Sequence, residues 1–160
     1  MSAALARLAR PWRGGRALLL AGFTIAALAM SSAAAQPLPD KPFAEHHIVL
    51  QLSDRAAEKQ ALVLSVAYNL LKAYDPDKIA VVVVAFGPGI DLLRAESPNR
   101  ALVDSLIAQG VEFDVCMNTV ETVERETGKN VNLNPKAVPV QVGVGRVLEL
   151  TEKGYTLVRP

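Results

Sequence analysis

Cysteine is as scarce as any residue type in this sequence: Cys116 is the only one in 160 residues. An internal disulfide is excluded, so the fold must be held by packing. A thiol left over in this way forms an intermolecular bond, reacts, or is buried and inert. Histidine is nearly as scarce. His46 and His47 are neighbours, and adjacent residues on a strand point to opposite faces, so the two are not placed to share a metal. No further histidine is present to serve as the base of a cysteine nucleophile. Neither a Walker pattern nor G-x-G-x-x-G occurs, which leaves a nucleotide site unsupported. No block of Lys and Arg gives an electrostatic footprint for nucleic acid or for an anionic membrane surface. Internal repeats and low-complexity segments are lacking too.

The apolar run Ala17 to Met30 is shorter than the roughly 20 residues that span a bilayer. It follows Arg7, Arg10, Arg13 and Arg16 and precedes Ser31 to Ala35, with Ala33-Ala34-Ala35 just before Gln36. Basic, apolar, then small is the order of a secretory signal peptide, so residues 1–35 are expected to be cleaved, leaving an exported, periplasmic product with no membrane anchor. All 16 acidic residues lie after residue 35, against 13 of the 17 Lys and Arg, so the mature chain carries −3. About 125 residues remain, enough for one core and too few for two.

Residues 36–45, with Pro37, Pro39 and Pro42, are expected to form an extended tail, and 46–160 a single domain. His46 to Leu52 is the first strand, followed by a helix capped by Ser53 or Asp54 and running to about Tyr74, with Ala57, Ala61, Leu64, Ala67 or Tyr68, and Leu71 inward. Ile79 to Phe86 contains Val81-Val82-Val83-Val84, a β-branched run of the kind buried on both faces of a parallel sheet. Gly87-Pro88-Gly89 ends it. Ser97-Pro98 opens a helix, and Gly110 closes it. In Val111 to Cys116 the apolar residues alternate with Glu112 and Asp114, as in a half-buried strand. Asn118 with Glu121 has the spacing of a helix N-cap and the acid that reaches back to it, starting a helix from about Thr119 to Glu126. Ala137 to Val140 is a short strand. From Gln141 to Lys153 a helix shows Val144, Val147, Leu148 and Thr151 on one face and Glu149 spaced to pair with Lys153. Tyr155 to Val158 is the last strand. Strands alternating with helices predict an α/β fold with three layers, α/β/α, around a mostly parallel five-stranded sheet.

Ligands and reactive groups of such sheets gather beyond the carboxyl ends of the strands. Those ends are Ser53-Asp54, Gly87-Pro88-Gly89 and Cys116-Met117-Asn118. A thiol at a helix start faces unpaired N–H groups that lower its pKa, so Cys116 has a physical route to the thiolate. It equally suits a small hydrophobe packed under the helix. The glycines of Gly87-Pro88-Gly89 allow a close approach of ligand or cysteine loop, or form a simple turn. Glu121, Glu124 and Glu126 form a solvated face, and any of them pointing at Cys116 would oppose its ionisation.

Ile48-Val49-Leu50-Gln51-Leu52-Ser53, Val84-Ala85-Phe86-Gly87-Pro88-Gly89, Gly110 to Thr119 and Gly154 to Pro160, in this order and spacing, resemble the DsrE/DsrF-like family of small sulfur-handling α/β proteins. The resemblance covers the chain from about His46. It implies a homo- or hetero-oligomer and, as in the sulfur-relay members, a cysteine that accepts sulfur as a persulfide and passes it to a partner thiol. That role falls on Cys116, with Ser53, Gly87, Pro88, Gly89, Asn118 and Thr119 shaping its pocket, a sulfur donor or acceptor protein as partner, and no metal or organic cofactor. The competing expectation is a non-catalytic oligomeric module that binds a small ligand at the same rim, with a structural Cys116. A redox-sensing thiol is a third, and it needs a partner to resolve it.

Overall fold

The computed structural model describes residues 41–160. The signal peptide expected over 1–35, and the tail as far as residue 40, lie outside the described residues. The tail's last part is not extended: Ala44 N–H bonds Lys41 O at 3.0 Å in a turn, and Lys41 Nζ donates to Pro76 O and Ile79 O.

Five strands form one sheet: β1 (His46–Leu52), β2 (Ile79–Ala85), β3 (Val111–Cys116), β4 (Val138–Val140) and β5 (Thr156–Val158). Their order is β4-β3-β2-β1-β5, and every pair is parallel. The helices are α1 (Ala57–Tyr74), α2 (Arg100–Ala108), α3 (Met117–Thr127) and α4 (Gly143–Glu152). Steps from β1 through β4 all move one way across the sheet, and right-handed crossovers place their connections on one face. The return from β4 to β5 reverses direction and puts α4 on the other. Accordingly α1, α2 and Val120 of α3 cover Leu50, Leu52, Val81, Val83, Val111, Phe113 and Val115, whereas Val147 and Leu150 of α4 cover Val49, Val82 and Val84. The fold is therefore α/β with helix layers on both sides of a parallel sheet. Both edge strands are three residues long, and β4 carries Pro139, which blunts edge-to-edge pairing.

Several expectations change. Gly87–Leu93 is not a bare turn but a 3-10 helix with Pro88 in its first turn and Ile90, Leu92 and Leu93 buried. Gly89 is required there, because a β-carbon would fall 2.3 Å from Leu52 O. Neither Ser53 nor Asp54 caps α1. Asp54 Oδ1 instead accepts from Ala56 N–H, and the inner face of α1 is Gln60, Val63, Leu64, Ala67 and Leu71. The next helix begins at Arg100, with Ser97 Oγ accepting from Asn99 N–H ahead of it. Asn118 lies inside the first turn of α3, not at its cap.

The largest correction concerns β3, which is buried at all six positions. Glu112 and Asp114 do not face solvent; they lie under α4 against Arg146. That contact also turns α4. Gly143, Val147 and Leu150 are buried, Val144 and Leu148 are 60% and 58% exposed, and Glu149 pairs with Arg146 rather than Lys153. Placing Val144 inward would carry the guanidinium away from two buried carboxylates, at greater cost than exposing two apolar side chains.

Candidate functional site

The connections after β3 and β4 leave on opposite faces of the sheet, α3 on one and α4 on the other. The crevice outside their carboxyl ends is the kind of place where open α/β sheets bind ligands. Cys116 is the last residue of β3 and the N-cap of α3. It pairs with Val140 at the end of β4. Asn118 N–H and Gln141 O bond at 3.1 Å, and Gln141 Nε2 donates to Asn118 Oδ1 at 2.6 Å, stitching the two strand ends together.

Cys116 thus sits where two helices begin. Its Sγ donates to Gln141 O at 3.8 Å. Burial pushes the thiol pKa up, but hydrogen bonds from the Thr119 hydroxyl and from the N–H groups of Gly143, Thr119 and Asn118 outweigh it and bring the pKa below the ordinary value. The Thr119 oxygen also accepts from Gly87 N–H at 3.0 Å, so one hydroxyl links the glycine loop to the sulfur. Gly143 permits the close approach of α4. A β-carbon there would fall 3.0 Å from Cys116 Cβ and 2.9 Å from Phe86 Cβ.

A groove of about 690 Å³ opens at this rim, lined among others by Gly87, Pro88, Asn118, Thr119, Arg55 and Arg94. Both guanidinium groups approach Asp91, Arg94 Nε at 2.7 Å and Arg55 Nε at 3.6 Å. Of the expected site residues, the structure brings Gly87, Pro88, Asn118 and Thr119 together in the groove wall. Gly89 is buried beneath it, and Ser53 is exposed with its carbonyl facing Gly87. Cys116 itself is 5% exposed and is not part of the groove wall. Gln141, Gly143, Arg55 and Arg94 are additions. The strand-end rule that singles out Cys116, applied to the end of β4, points to Gln141 and Gly143; nothing local marks the two arginines.

Glu124 does not face the thiol: its Oε1 accepts from Val131 N–H at 2.8 Å and holds the loop after α3. His46 and His47 begin β1, where His46 packs on Tyr74 and His47 on Tyr155. Following the strand register, they lie six or seven rows from Cys116, about 20 Å. A larger groove of about 800 Å³, lined by His46, Tyr68 and Tyr74, is at that amino-terminal edge, away from the thiol. Among the described residues, no group of three or more His, Cys, Asp or Glu is placed to hold a metal ion, and no helix is long and apolar enough to cross a membrane.

No family model matches the chain, and no curated protein matches it. Solved structures do. A protein of unknown function, MTH1491 from Methanobacterium thermoautotrophicum, superposes with a TM-score of 0.65 at 26% identity, covering 72% of this chain and 100% of that one. The YchN protein from E. coli superposes with a TM-score of 0.54 at 16% identity, covering 72% and 99%. With these neighbours the fold is DsrE-like.

Proposed function

From a DsrE-like fold with its one cysteine at the start of two helices, we propose that this chain is an exported, periplasmic sulfur-handling protein that works as an oligomer. The Cys116 thiolate attacks the terminal sulfur of a persulfide or polysulfide. A new S–S bond forms, the donor's S–S bond breaks, and the electron pair leaves with the donor thiolate. A partner thiolate then attacks the outer sulfur and releases Cys116 as thiolate, so neither step needs an oxidant, a metal or an organic cofactor. The observation that carries this reading is the place of Cys116 as the N-cap of α3 with Gly143 of α4 packed against it, where donors from both helix starts hold the thiol pKa below its ordinary value. Export rests on the basic, apolar and small-residue order of residues 7–35.

The 5% exposure of Cys116 favours a second reading: an oligomeric small-ligand module that uses the groove while the thiol is structural. One experiment separates them. Mature protein is incubated with polysulfide, and intact mass is recorded for wild type and Cys116→Ser. A reducible gain of one sulfur on wild type alone is expected. No adduct, together with a thiol closed to iodoacetamide in the folded protein, overturns the carrier and leaves the binding module.

A further inference from the structure

Glu112, Asp114 and Cys116 alternate along one strand and share the face covered by α4. Arg146 Nη2 reaches Glu112 Oε1 at 2.9 Å, and its Nε reaches Asp114 Oδ2 at 2.8 Å. One turn before Arg146, Gly143 packs on Cys116. The guanidinium therefore ties the first turn of α4 to the strand that carries the thiol. Charge is not balanced there, because two carboxyl groups meet one arginine. Asp114 is fully buried, and its Oδ1 has no hydrogen-bond partner. A second carboxylate that the one arginine leaves uncompensated is costly in such a place, and a proton held by the pair removes the excess charge. The strands alongside add no charge: Val82 and Val84 of β2 flank Glu112 and Asp114, and Val138 and Val140 of β4 flank Asp114 and Cys116. From α4 Arg146 reaches both acids, with Glu149 outside it at 3.6 Å.

We propose that Arg146 and Asp114 are positioning residues for Cys116: Arg146 holds the N–H of Gly143 over the sulfur, and a proton kept by the acid pair leaves the strand face neutral so that the thiolate can form. Loss of that proton places a second negative charge two residues along the same face and opposes the thiolate. The thiol and the acid pair then titrate against each other, and the reactivity of Cys116 follows the charge of a cluster that never meets the donor. This deepens the carrier reading by assigning its regulation.

The test is the 13Cβ shift of Cys116 followed from pH 5 to pH 10, which reports ionisation without a reagent having to reach the sulfur. In wild type the curve is expected to be broader than one ionisation. Asp114→Asn, nearly isosteric and still able to accept from Arg146, should give a single ionisation with its midpoint about one pH unit lower, or tenfold more thiolate below both midpoints. Arg146→Met should raise the midpoint by a similar amount as the Gly143 donor drifts away. A single ionisation in wild type that Asp114→Asn leaves in place overturns the proposal, whether or not Arg146→Met folds. The sulfur-adduct assay is a separate readout. A missing adduct with the titrations shifted as expected removes the carrier and keeps the coupling, and an adduct with unmoved titrations does the reverse.

Discussion

The two faces of β3 are built on opposite terms. On one, Val111, Phe113 and Val115 are essentially inaccessible and join the large core beneath α1 and α2. On the other, Glu112, Asp114 and Cys116 lie at comparable depth under one helix and are held by an ion cluster and a run of hydrogen bonds. Burial alone does not distinguish them. The apolar face is stabilised by area and packing, which are insensitive to pH. The polar face balances desolvation against pairing, so its energy depends on protonation. A thiol on the apolar face would be silenced by desolvation, whereas on the polar one it meets donors.

The largest effect that tests this division belongs to the apolar face. Phe113→Ala removes the largest fully buried side chain among the described residues and should cost about 3–5 kcal/mol in denaturant unfolding. The thiol titration of the fraction that remains folded should be unchanged. A moved Cys116 midpoint in that variant would mean that the two faces are not separable.

A smaller effect comes from the polar face. Burial, followed by the nearby charge of Glu112, raises the Asp114 pKa from 3.8 to about 7 against the opposing pull of Arg146. A carboxyl raised on folding keeps its proton in the folded state while the unfolded state has lost it. Its contribution is complete below 3.8 and is lost as pH rises to about 7. Wild-type stability should fall between pH 5 and pH 8 by an amount on the order of a few kcal/mol. In Asp114→Asn that part of the slope should vanish, leaving the variant the more stable of the two at pH 8. Equal slopes, read from urea midpoints at both pH values, would put Asp114 in the ordinary carboxylate range.

The contrast also explains what was legible in the amino-acid sequence. Apolar runs declare themselves: Val81 to Val84 marks a strand covered on both faces, and the alternation of strand and helix leads to the parallel sheet. Cys116 at a strand end, with the Gly87 loop and Asn118 at the same rim, follows from the same reasoning, whereas Thr119 as a pocket residue comes from the family resemblance. Glu112 and Asp114 do not. Their alternation with Val and Phe is the pattern of a solvated face, and the guanidinium that makes burial possible lies 34 and 32 residues away. Because Arg146 looks like a surface residue by the same rule, the expected face of α4 holds at Val147 but fails at Val144 and Leu148, which are exposed. Charge compensation across the fold leaves no local periodicity.

The smallest effect lies where the glycine loop meets the thiol. Thr119→Val keeps the shape of the side chain but removes the hydroxyl that donates to Cys116 and accepts from Gly87 N–H. A hydrogen bond to a charged group contributes about 1.5–3 kcal/mol, most of it lost here only when sulfur is ionised. At a pH below the midpoint the thiolate should therefore become about tenfold scarcer, with a matching fall in alkylation rate. The apolar face gives the control, since Val120, the next residue along α3, packs into the core under β3. Val120→Ala should lower stability and leave the alkylation profile in place. If both variants shift the profile equally, the start of α3 acts on Cys116 through packing rather than through the Thr119 hydroxyl.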